Sequence, residues 1–194
     1  MLSGIAIGVR AVHALLAIIV LGLSVTLMKG QEIGSVPTTT RYSVFLGAYG
    51  IIVTIIGLLG LFFEFIPNLI TMGFDAAGAL LFLGGGIAWA IGTKGLSCTN
   101  KNSPNIDHLY TNSLLNEGCL PKKDNNNPYP YCAVMGDSDD NDTIEKAFGA
   151  LKSNCQKAFA DEIIMFITFA LATVLVLLGF LLFKKRGSRS SYVA

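Results

Sequence analysis

The chain has 194 residues, 52% of them hydrophobic and only 14% charged, with a formal net charge of +1; soluble domains carry about 25% charged residues. Its apolar residues come in long runs instead of amphipathic stripes, which excludes an ordinary soluble domain, and the charge balance gives no footing for nucleic acid. The composition is that of an integral membrane protein.

The first apolar run, residues 5–28, is long enough to cross a bilayer, whose hydrocarbon core takes roughly 20 helical residues. Arg10 and His13 lie inside it. With Arg10 closing an n-region and Ala14 to Val25 as an h-region, the run has the outline of a secretory signal. The LMKGQEIG that follows has no A-x-A-like cleavage site, so a retained helix is expected. Lys29 to Arg41, with Pro37 and three threonines, reads as a loop.

A second span is expected over residues 43–66, with Gly47, Gly50, Gly57 and Gly60 along it and Glu64 near its end. Pro67 and Asn68 form a tight turn, because proline cannot continue the helix and asparagine tolerates turn geometry. The third span, 69–92, is then an antiparallel neighbour of the second. Its only ionisable residue is Asp75. A carboxylate at a helix centre costs about 2.5–3.5 kcal/mol on insertion scales, so Asp75 should face protein and have a partner. Gly84, Ala88 and Gly92 are stacked four apart, which with the glycines of the second span allows close helix approach.

Residues 94–162 change character. Asparagine, aspartate, lysine and proline abound, and Cys98, Cys119, Cys132 and Cys155 all lie here. The tract KKDNNNPYPY cannot be a helix interior. From about Thr143, Ile144, Phe148, Leu151, Cys155 and Phe159 recur at helical spacing. This predicts an amphipathic helix leading directly into a fourth span, 163–183. The tail, 184–194, is basic and serine-rich and is expected to be disordered.

Orientation follows from three signals. Lys184, Lys185, Arg186 and Arg189 crowd the end of the fourth span, whereas the long loop holds seven lysines against ten acids. Four cysteines with no C-x2-C pair favour disulfides over zinc, hence an oxidising compartment, with three connectivities open. Asn141 opens a glycosylation sequon. Both termini are therefore expected in the cytoplasm and the loop outside. Arg10, Asp75 and Glu64 then fall at one depth, with His13 a turn from Arg10. Arg10 with Asp75 reads as an ion pair that fixes helix register; His13 and Glu64 complete a polar cluster. An ion path through Glu64, Asp75 and His13 is the alternative.

No P-loop, G-x-S-x-G or H-E-x-x-H occurs, so neither an enzyme nor a cofactor is expected. Gly84 to Gly86 sits mid-membrane and reads as a packing surface. His108 beside Asp107 reads as solvated. The acidic run Asp137 to Asp142 lacks the glycine and distal glutamate of a calcium loop, so no metal is expected. The basic tail is suited to anionic lipids, at about 1 kcal/mol per residue near the surface.

An arginine in the first span with an aspartate in the third resembles the shared pattern of MARVEL-domain tetraspan proteins. Tyr49-Gly50, Phe74-Asp75, Gly92, Ser97-Cys98 and Cys155 resemble the fungal non-classical export family. The loop between spans three and four is longer than in that family and adds Cys119 and Cys132. The resemblance implies an all-α, MARVEL-like four-helix membrane bundle with a disulfide-containing outer loop. It also implies a plasma-membrane organiser of microdomains, eisosome-like and sphingolipid-responsive. The partners implied are lipids (sterol, sphingolipid or anionic), copies of the chain or other membrane proteins. By analogy with the family's cysteine pair, Cys98 would join Cys155, leaving Cys119 to Cys132 as an inner bridge. A cell-surface interaction protein working through that loop is a further alternative.

Overall fold

The computed structural model describes residues 2–62, 68–120, 132–135 and 141–190. Five α-helices carry the chain: α1 (Leu2–Lys29), α2 (Thr38–Phe62), α3 (Asn68–Gly92), α4 (Ser103–Thr111) and α5 (Asn141–Ser190), with one 3-10 turn at Ala133–Met135. Four of them, α1, α2, α3 and α5, are long and apolar enough to cross a membrane. No strand is present among the described residues.

The four spans form a closed ring in which α1 packs on α2 and α5, and α3 on α2 and α5. The diagonal pairs, α1 with α3 and α2 with α5, have no backbone approach among the described residues. Small residues set the tightest contacts. A Cβ on Gly47 would lie 2.7 Å from Leu21 Cα, so α1 and α2 touch backbone to backbone there. Val20, Leu46, Phe82, Trp89 and Met165 are fully buried on the axis. The outside is the inverse of a soluble surface: Leu80 and Ile91 are each 71% exposed, in a ring of apolar side chains suited to lipid.

The glycines divide differently from the sequence expectation. Gly50 faces Ala17 and Phe82, and Gly57 faces the Arg10 guanidinium. Gly60 is buried and Ala88 half-buried, while Gly92 lies under Leu114. Gly84, expected at the closest approach on α3, is exposed; only the Tyr42 hydroxyl comes near it. Helical phase is the reason. The face toward the neighbouring helices carries Gly85, against Leu46 and Met165, and Gly86, against the Phe166 ring.

Helix α5 is continuous over 50 residues, about 75 Å at 1.5 Å per residue, more than twice a bilayer core. Its first turns stand beyond the ring and support a cap made from α4, the 3-10 turn and residues 93–120. At its other end the helix runs on through Ser190. The expected disorder of 184–190 is therefore corrected: Lys184, Lys185 and Arg186 are good helix formers and extend the last turn. Residues 63–67, with Glu64 and Pro67, lie outside the described residues, as do 121–131 and 136–140. Lys184 is exposed; the side chains of Lys185, Arg186, Arg189 and Asn141 are also outside the description.

Candidate functional site

Two polar layers interrupt the apolar interior, one in the half of the ring nearest the chain termini, the other under the cap. In the terminal half, Arg10 Nη2 donates to Asp75 Oδ2 at 2.7 Å and Nη1 to Oδ1 at 3.2 Å. Both side chains are buried, at 7% and 3% exposure. This is a two-pronged pair between α1 and α3, whose backbones do not approach each other among the described residues. Gly57 of α2 makes the crossing possible, because any Cβ there would fall on the guanidinium. Charge, reach and a missing side chain are thus matched across three helices.

One turn along α1, His13 Nδ1 lies 3.0 Å from Thr54 Oγ1, and the Thr54 hydroxyl donates to the Gly50 carbonyl at 2.8 Å. The Thr54 hydroxyl thus bridges the imidazole and a backbone carbonyl: with its proton on Gly50 it accepts from a protonated Nδ1. The ring also meets Phe82 edge-on, with centroids 5.9 Å apart. His13 therefore shares the layer with Arg10, but through a hydroxyl on α2 and not through a carboxylate.

The layer beneath the cap was not anticipated. Asp161 is fully buried. Its Oδ2 accepts from Ser24 Oγ at 2.8 Å, and its Oδ1 has no partner among the described residues. Next to it, Thr93 Oγ1 lies 2.9 Å from both Glu162 Oε2 and the Trp89 carbonyl and shares its proton between them. Trp89 Nε1 donates to Ser43 Oγ at 2.6 Å. A signal was available: Leu151, Cys155, Ala158, Asp161 and Met165 continue one buried stripe at helical spacing. The expected loop boundary at residue 162 left Asp161 outside the fourth span, where it was not singled out.

Above this layer the structure joins Cys98 to Cys155 and Cys119 to Cys132, and no cysteine is free. Hydrogen bonds stitch the cap to the ring. The Glu117 carbonyl accepts from the amides of Glu32 at 2.8 Å and Ile33 at 3.2 Å. Asn154 Nδ2 reaches the Leu115 carbonyl and Glu117 Oε1, both at 3.0 Å. Glu117 holds a left-handed backbone (φ 60°) to do this, a conformation uncommon without glycine. His108 and Asp107 lie exposed on α4.

Chemically, the two layers hold and orient helices. Between them Val20, Leu46, Phe82 and Met165, all fully buried, fill the axis. Residues 3–178 match MARVEL, described as a membrane-associating domain. No curated protein and no solved structure matches the chain.

Proposed function

Because the chain belongs to the MARVEL membrane-associating domain family, we propose that it is a non-enzymatic organiser of lateral microdomains in the plasma membrane. It acts by association with lipids and with copies of itself, with both termini cytoplasmic and the cap outside. The resemblance to the fungal non-classical export family suggests an eisosome-like, sphingolipid-responsive setting. The basic end of α5, from Lys184 through Arg189, adds attraction for anionic lipid on the inner leaflet, and Asn141 is the glycosylation site of the outer face.

The observation that carries this reading is the Arg10–Asp75 pair, locked within the ring beneath a filled apolar axis. Polar groups that serve an ion path line a continuous wet route. These instead satisfy one another, and the axis beyond them is packed with large apolar side chains. Such a bundle offers its outer surface, not its interior, to other molecules.

The test exchanges the charges. Arg10→Asp and Asp75→Arg are each expected to fail in folding or in reaching the cell surface, and the double exchange to recover both. Singles that fold and traffic normally while abolishing ion flux would sink the organiser reading and make Asp75 a transport residue.

A further inference from the structure

Asp161 is fully buried at the cap end of the ring, just ahead of the apolar run 163–183. An ionised carboxylate has two oxygens and about four sites for hydrogen-bond donors. Here Ser24 Oγ, 2.8 Å from Oδ2, fills one, and Oδ1 has no partner among the described residues. No cation compensates. The charged groups that the surrounding elements bring to this end of the ring are Lys29 of α1, Glu32 of the α1–α2 loop, Lys94 of α3, Glu117 of the cap, and Lys157 and Glu162 of α5 itself. Glu162 turns to Thr93 and Glu117 to Asn154, while Lys29 and Lys94 are exposed. None of the six forms an ion pair with Asp161 among the described residues.

We infer that Asp161 and Ser24 form a proton-binding site, in which Asp161 stands as the neutral acid and hydrogen-bonds to Ser24 Oγ across the α1–α5 contact. A buried charge without compensation is expensive, and a carboxyl in such a place takes up a proton instead. The distance between two oxygens does not record which of them donates. In the acid, Oδ2–H donates to Ser24 Oγ, and the serine hydroxyl is free to turn to a carbonyl one turn back on its own helix. Oδ1 is then a neutral carbonyl oxygen, for which a missing partner costs less than for half of a carboxylate. When the proton leaves, the bond reverses, Ser24 donates to Oδ2, and a bare charge remains inside the ring. The proton therefore decides whether the α1–α5 contact under the cap is neutral or carries a buried charge. The sign of the pH dependence follows. An aspartate in the unfolded chain ionises at about pH 4. Above that, the folded chain keeps a proton that the unfolded chain has lost, so stability falls as pH rises until Asp161 ionises as well.

The experiment takes infrared difference spectra of the full chain in lipid nanodiscs from about pH 5 to about pH 9, a range in which exposed carboxyls are ionised. A carboxylic-acid C=O band is expected at neutral pH and is expected to fade toward the alkaline end. One carboxyl's share of it should be lost in D161N and kept in E162Q. In S24A, which removes the hydrogen-bond partner, the band should move in frequency. Thermal unfolding over the same range should show a fall with rising pH that D161N abolishes. The inference is overturned by the absence of an acid band at neutral pH, by a band of undiminished intensity in D161N, or by one lost in E162Q instead. A band unmoved by S24A overturns it too, as does a pH dependence of unfolding that D161N leaves unchanged. So does a D161N chain that does not fold, because the neutral amide stands in for the neutral acid.

Discussion

In the terminal half of the ring, a buried aspartate meets an arginine from the diagonally opposite helix; under the cap, a buried aspartate meets, among the described residues, a serine hydroxyl. Asp75 is 3% exposed and Asp161 fully buried, so burial does not distinguish them. What differs is what else holds each region. The terminal half has no covalent tie among the described residues, and its register depends on two opposite charges. The cap half has two disulfides and a set of hydrogen bonds from α3, α5 and the α1–α2 loop, with no ion pair among the described residues. Removing one polar partner should therefore be severe in the first region and tolerated in the second.

The largest effect is expected from Arg10→Ala, which strands a buried carboxylate and should cost about 3–5 kcal/mol. Gly57→Val should approach it by pushing the guanidinium out of its notch. The two lesions break the same contact, so the double variant should fall well short of their sum. Denaturant midpoints in detergent micelles measure this. Additive losses would mean that Gly57 matters for helix contact alone.

The cap invites a covalent version of the same comparison. Cys98–Cys155 closes a separation of 57 residues and Cys119–Cys132 one of 13. In the chain-entropy account the longer loop is worth about 1 kcal/mol more. Paired serine variants of each bridge, compared by thermal unfolding, should rank in that order. The long bridge ties the start of the cap to α5, and its loss should also weaken protection of the amides of Glu32 and Ile33.

A smaller loss is expected from Thr54→Val, which keeps shape but leaves His13 Nδ1–H buried without an acceptor, at about 1–3 kcal/mol. Thr54→Ser keeps the acceptor and should recover most of it. Were Thr54→Val neutral, the imidazole proton would sit on the other nitrogen.

How much of this was legible in the sequence follows from the same physics. The spans were legible because an apolar run of bilayer length has few other uses. Arg10 and Asp75 were legible because each is the odd charge within such a run. Asp161 was not, because the charge stands near the end of an apolar run, where solvent is the default expectation; only the continuity of α5 through that boundary buries it. The glycines show a limit of spacing. Gly84, Ala88 and Gly92 satisfy the four-residue rule, yet the rule fixes a face without saying which way that face turns. Neighbouring Gly85 and Gly86 turn inward instead. The role of Gly57 could be read only once Arg10 was seen lying against it.

The smallest effect is the most telling, since it applies one substitution to both regions. Asp75→Asn keeps the size of the side chain but leaves a buried guanidinium with no anion, and a loss of several kcal/mol follows. Asp161→Asn removes a carboxylate that, among the described residues, forms no ion pair and has one oxygen without a partner. The amide still accepts from Ser24 through its oxygen, so stability should change by less than about 1 kcal/mol, with a gain more natural than a loss. Ser24→Ala deepens the contrast: in the native chain it strands the carboxylate, whereas in the Asp161→Asn background it removes only a neutral bond. A double-mutant cycle over Ser24 and Asp161, read by denaturant midpoint, measures that difference. If Asp161→Asn were as damaging as Asp75→Asn, Asp161 would be ionised and paired with a cation, and both layers would be held by charge.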